Sequence, residues 1–225
     1  MDKARFDTLL LDFDGTIADS IELILAAYRY AFTQVRGEAP PDALWLAGVG
    51  TPLMSQLEGL ARSSEEVPLL FEPYRRFAID EHDRLIRSFP SMRPCLDRLR
   101  AAGIPMGIVT SKNGVGLARG LRALDLEGYF SALLSIDDTE LHKPHPAPVL
   151  LALERLGADP RRTLFVGDSL HDLEAGRSAG VSTGAALWGP FDRNKLEPGE
   201  PDYWFEDPLD LLALFGLAPQ GDAPC

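Results

Sequence analysis

An apolar run, Leu9-Leu10-Leu11, ends in carboxylates on alternate residues, Asp12 and Asp14, with Gly15-Thr16 directly behind. Three consecutive leucines predict a short strand buried on both faces. Helical spacing takes over at once. Ile21, Ile24, Leu25, Tyr28 and Phe32 predict a helix over 20–35, with Asp19 as its cap and Glu22 three places on. Pro40-Pro41 ends it. A short helical piece holds Leu44, Trp45 and Leu46. The turn Gly48-Val49-Gly50-Thr51-Pro52 follows, and Pro52 opens a helix over 52–61. Glu65 to Ile86 predicts a longer helix, with Pro68 and Pro73 breaking it early. Nothing between residues 17 and 87 alternates as a strand would, so this segment is expected to be all-helical.

From Pro90 onward the rhythm changes. An amphipathic helix over 92–102 stops at Gly103, and Ile104 to Val109 reads as a strand ending in Thr110-Ser111-Lys112. A helix over 114–124 is weakened by Gly114, Gly116 and Gly120. Strands follow at 130–136, 163–166 and 181–187, separated by helices at 146–156 and 170–179. Tyr203-Trp204-Phe205 suits a short edge strand, 209–215 a last helix, and 218–225 a frayed tail. Alternating strands and helices predict a parallel α/β sheet. The expected division is a core of residues 1–16 plus 88–225, interrupted by a helical insert over 17–87. An insert that leaves and re-enters beside the end of the first strand is placed to act as a lid.

Composition narrows the partners. The chain has 225 residues, 45% hydrophobic and 25% charged, enough for one large domain with a real core. A net charge of −12 argues against nucleic acid or an anionic membrane surface as partner. Only Cys95 and Cys225 are present, the second being the last residue, so reduced thiols and a cytoplasmic setting are expected. The first residues lack the form of a signal peptide, and no run approaches about 18 apolar residues. A monomer or homodimer is expected.

Four features fall just after strands or at helix starts: Asp12 with Asp14, Thr110-Ser111, Lys143-Pro144, and Gly167-Asp168 with Asp172. Together they suit phosphoryl transfer. A carboxylate can attack phosphorus and form an acyl-phosphate, and a second can protonate the leaving oxygen and then deprotonate water. A hydroxyl and an ammonium can hold the nonbridging oxygens. A third carboxylate, with the first, can hold Mg²⁺, which screens the like charges.

The same residues resemble the motifs of the haloacid dehalogenase-like hydrolase superfamily. Asp12-Phe13-Asp14-Gly15-Thr16 matches its DxDGT motif, and Gly107-Ile108-Val109-Thr110-Ser111-Lys112 its strand ending in a hydroxyl residue. Lys143-Pro144-His145-Pro146 matches its lysine motif, and Gly167-Asp168-Ser169-Leu170-His171-Asp172 its GDSxxD. The resemblance implies a Rossmann-like parallel sheet flanked by helices, with an inserted α-helical cap. It makes Asp12 the nucleophile and a metal ligand. Asp14 becomes the acid/base, lending its backbone carbonyl to the metal, and Asp168 the third protein ligand. Thr110, Ser111 and Lys143 would bind the phosphoryl group, and Asp172 would support the metal waters or the lysine. Asp14 favours phosphoryl chemistry, since the dehalogenating members lack an aspartate there. Pro90, the turn 48–52 and Trp188-Gly189-Pro190 are similar to the phosphoglycolate phosphatase and pyrophosphatase-like branch, although Ser91-Met92-Arg93 departs from its usual Pro-Gly-Val. The implied activity is Mg²⁺-dependent hydrolysis of a small, phosphoglycolate-like metabolite through an aspartyl-phosphate. A phosphomutase acting on a sugar phosphate and a catalytically silent binding protein are the alternatives. A phosphonate-cleaving member needs a cap lysine, and residues 17–87 contain none.

Overall fold

A computed structural model describes residues 4–217. The core elements are β1 (Thr8–Leu11), then, beyond the insert, α5 (Met92–Ala101), β4 (Met106–Val109), α6 (Gly114–Ala123), β5 (Ala132–Leu134), α7 (Ala147–Leu156), β6 (Thr163–Gly167), α8 (Leu170–Ser178), β7 (Ser182–Ala186), α9 (Arg193–Leu196), β8 (Tyr203–Phe205) and α10 (Leu211–Leu214). The insert carries β2 (Ala18–Asp19), α1 (Ile21–Arg36), α2 (Asp42–Leu46), α3 (Leu53–Leu60), α4 (Glu66–Leu85) and β3 (Arg87–Ser88). Six strands form one parallel sheet in the order β5-β4-β1-β6-β7-β8.

β1 lies inside this sheet, and its leucines alternate between the two faces. Leu9 and Leu11 join one buried cluster with Phe6, Met92, Leu96 and Ile108. Leu10 joins the other with Val109, Val149 and Phe165. That is why three leucines in a row suit this position. The strand order reverses at β1, between β4 and β6, so the carboxyl ends of these three strands open on a common crevice.

The insert has its own apolar cluster, built on Tyr28, Phe32, Trp45, Leu57 and Leu70. Trp45 lies between Tyr28 and Tyr74, with ring centroids 4.7 and 5.4 Å away. Three expectations fail here. α4 runs unbroken through both prolines. Pro68 falls in the first turn, where its missing N–H would have had no helical partner. Pro73 frees the carbonyl of Leu69, which lies on the exposed face where water can reach it. Second, the insert is not all-helical, since β2 and β3 pair antiparallel into a two-residue ribbon at the neck. Third, Asp19 does not cap α1. It belongs to β2, Ser20 takes the cap position, and the Ser20 hydroxyl is spent on Asp14 instead.

Gly120 weakens α6 for a packing reason. A Cβ there would meet the buried Phe13 ring at 2.6 Å. Gly120→Ala should therefore destabilise the protein by about 1–2 kcal/mol, because overpacking outweighs the gain in helix propensity. Urea unfolding of the two proteins checks the sign. Cys95 is buried and free, its thiol pushed up to about 12 chiefly by burial. Cys225 and the tail 218–225 lie outside the described residues. No described helix is long and apolar enough to cross a membrane.

Candidate active site

The four sequence features converge. Lys143 reaches from the loop before α7 to the end of β1 and donates to Asp12 Oδ1 at 2.9 Å, to Asp172 Oδ1 at 2.5 Å and to the Val109 carbonyl at 3.0 Å. All three of its hydrogens have acceptors, and its side chain is 2% exposed. Asp172 is held in turn by Ser169, whose hydroxyl donates to Oδ2 while Asp172 closes the reciprocal cap of α8. Asp168 takes the Thr16 hydroxyl at 3.1 Å on Oδ1. Its Oδ2 is buried and has no hydrogen-bond partner.

Gly15 explains itself in this setting. It has φ +82°, and a Cβ there would stand 2.3 Å from Asp168 Oδ2. Only a glycine lets the loop after β1 turn this closely over the carboxylate. The ring N–H of Trp188 ties the same loop down by donating to the Thr16 carbonyl at 2.9 Å.

Asp12, Asp168 and Asp172 each offer an oxygen within 4.8 Å of the others. Three carboxylates and one ammonium leave the buried cluster negative if all are ionised. Burial pushes the Asp12 carboxyl up to about 7; Lys143 pulls it down and the Asp172 charge pushes it further up. Burial, followed by the charges of Asp12 and Asp172, holds Asp168 well above the usual carboxylate range. Burial works against the Lys143 charge, yet the two aspartates keep its ammonium firmly protonated. A hard divalent cation fits this set, because every donor is oxygen and one buried oxygen lacks a partner.

Asp14 stands apart from Asp12. It accepts from the Ser20 hydroxyl at 2.6 Å and from Lys112 Nζ at 3.0 Å on both carboxylate oxygens. This pair is more open than the Lys143 pair, with Lys112 17% and Asp14 20% exposed. Thr110 is buried at the end of β4, and its hydroxyl accepts the Lys112 N–H at 3.2 Å. Ser111, expected to bind phosphate, follows Thr110 directly. Its hydroxyl donates to the Gly50 carbonyl at 2.8 Å and so fastens the cap turn 48–52 to the core. Gly50 packs against Ser169 and His171, with φ +96° and no room for a Cβ. Tyr74 approaches from α4, its hydroxyl pushed up by burial and then by the charge of Asp14.

Other basic side chains of the cap and of the lysine motif lie in settings of their own. Arg76 donates to the Tyr30 hydroxyl on an exposed face. His82 is buried beside Asp83, and burial lowers it. His145 accepts from the Ala147 N–H. Two further residues join the site, Lys112 at the end of the second motif and Ser20 four residues after the first.

The chain matches the family described as Haloacid dehalogenase-like hydrolase over residues 9–186. It is 34% identical over 218 residues to pyrophosphatase PpaX of Bacillus velezensis, covering 96% of this chain and all of that protein. Its fold superposes with a TM-score of 0.83 on a Lactobacillus plantarum structure provisionally assigned as a phosphoglycolate phosphatase, at 28% identity over 93% of this chain and 99% of the other. A provisionally assigned haloacid dehalogenase-like hydrolase from Bacteroides fragilis gives 0.84, at 25% identity over 92% and 99%.

Proposed function

The chain belongs to the haloacid dehalogenase-like hydrolases, and from that premise we propose that it hydrolyses a small phosphorylated metabolite by way of an aspartyl-phosphate on Asp12. One observation carries the reading: a fully buried ammonium, Lys143, bridges Asp12 and Asp172 beside an Asp168 oxygen that has no partner. A buried carboxylate in surplus is costly unless it serves a ligand.

The steps follow from the placement. An Asp12 oxygen attacks phosphorus while Lys143 fixes the carboxylate's direction. The bridging P–O bond breaks, its electron pair stays on the leaving oxygen, and Asp14 supplies the proton. Water then attacks the phosphorus of the aspartyl-phosphate and gives its proton to Asp14. Phosphate leaves, and Asp12 is restored. The Thr110 hydroxyl and Lys143 line the phosphoryl side. Asp12, Asp168 and the Asp14 carbonyl would hold Mg²⁺, with Asp172 supporting Lys143. When bound, the cation supplies positive charge to the phosphoryl oxygens. The cap closes over the crevice and excludes water.

Phosphoglycolate and pyrophosphate are the first substrates to try, from the motif resemblance and from the name of the 34%-identical relative. The reduced, cytoplasmic setting read from the cysteines is part of the same proposal. A phosphate-release assay with Mg²⁺ over phosphoglycolate, pyrophosphate and sugar phosphates tests it. Release from at least one is expected. Interconversion of sugar phosphates without free phosphate would make the protein a mutase. Failure both to turn over and to be trapped by beryllium fluoride would make it a binding protein.

A further inference from the structure

Two lysines serve the site, and they are bound differently. Lys143 has no hydrogen to spare. Lys112 gives two contacts to Asp14, one to each carboxylate oxygen, and no third acceptor of its ammonium lies among the described residues. Its stem lies near the Phe13 ring, with Nζ 5.8 Å from the centroid, which keeps the ammonium at the crevice rather than in bulk water.

The cap contains no lysine. Three of the cap's arginines are held by partners of their own. Arg29 is engaged by Asp42 and Glu22, Arg36 by Glu66, and Arg76 by Tyr30. On α4 the ring of Tyr74 stacks on Trp45. Lys112, held beside Asp14, stands on the core where a substrate's negative charge beyond its bridging oxygen can be met.

We propose that Lys112 is a specificity-determining residue of the phosphoryl-transfer reaction, spending its third hydrogen on an anionic leaving group while its other two hold Asp14. This rests on the phosphatase reading above and deepens it by naming a substrate class. When the bridging P–O bond breaks, the electron pair goes to the leaving oxygen and the proton comes from Asp14. The Lys112 ammonium stands beside both. Such a cation favours substrates whose leaving group is itself charged, as a second phosphoryl group or a neighbouring carboxylate is, over neutral alcohols. Ser20, which donates to Asp14 at 2.6 Å, is the positioning partner that keeps the carboxylate still.

Binding and turnover test this separately. Methylenediphosphonate, a pyrophosphate analogue that cannot be cleaved, and orthophosphate are titrated calorimetrically against the Mg²⁺-loaded wild type, Lys112→Met and Lys112→Arg. Lys112→Met is expected to weaken methylenediphosphonate at least tenfold and orthophosphate no more than threefold. Lys112→Arg, which keeps the charge, should recover most of the difference. In turnover, Lys112→Met should lower kcat/KM for pyrophosphate and phosphoglycolate at least tenfold more than for p-nitrophenyl phosphate. Equal losses on both ligands, or no loss on either, would overturn the role of Lys112. The parent reading fails by a different signature, phosphate release that survives in Asp12→Asn.

Discussion

Asp12→Asn is expected to lower the rate of phosphate release at least about 10⁴-fold, the scale of losing a covalent nucleophile. The loss should not come from unfolding. In the wild type, burial is the strongest influence on the Asp12 carboxyl and works against its charge. An asparagine can still accept from Lys143 through its amide oxygen, and Asp172 continues to neutralise the ammonium. The variant should therefore be at least as stable as the wild type when both are stripped of metal. Near-wild-type activity in a correctly folded Asp12→Asn protein would transfer the nucleophile's role elsewhere.

Removing divalent metal should give the other large effect. Asp12 is pushed up to about 7 and Asp168 well above its usual range, both chiefly by burial. A carboxyl whose folded value is raised holds its proton in the folded state after the unfolded chain has lost it. Stability is thus unaffected below about pH 4 and falls as pH rises from about 4 toward 7 and above. A cation among these oxygens offsets that loss. At a Mg²⁺ concentration about 100 times its Kd, stabilisation is about 2.7 kcal/mol, or a rise in Tm of roughly 5–10 °C for a chain of this size. The rise should be greater at pH 7.5 than at pH 5, where protons compete for the same oxygens. Thermal melts with EDTA and with Mg²⁺ at both values measure it. An equal shift at the two values, or none, would remove the metal from this cluster.

Much of the site could be read before any coordinates, because it lies where strands end. Asp12, Thr110 and Asp168 each follow an apolar run, and the sheet brings such ends together whatever the loops do. Lys143 was legible only by its motif, since a single lysine near a proline has no pattern to announce its burial. The partners of Asp14 were hidden for another reason. Ser20 reads as an ordinary helix cap, and only the turn formed by Gly15-Thr16 directs its hydroxyl back to Asp14. Ser111 shows the reverse. Its place after Thr110 suggests phosphate, and nothing in the sequence announces that its hydroxyl also fastens the cap turn at Gly50. The α4 prolines misled because their cost depends on which carbonyl is freed and whether water reaches it. The ribbon at the neck is too short to alternate.

That ribbon has a consequence for how such enzymes diversify. Cap and sheet are each built mainly on their own apolar cluster, Phe191 of the core touching the cap's, and the chain crosses between them at Ala18–Asp19 and Arg87–Ser88. Away from the docked turn at Gly50, residues inside one body can drift or repack with little disturbance to the other. The hinge-like neck thus lets the cap change its packing while the residues at the strand ends, Lys112 among them, stay with the sheet.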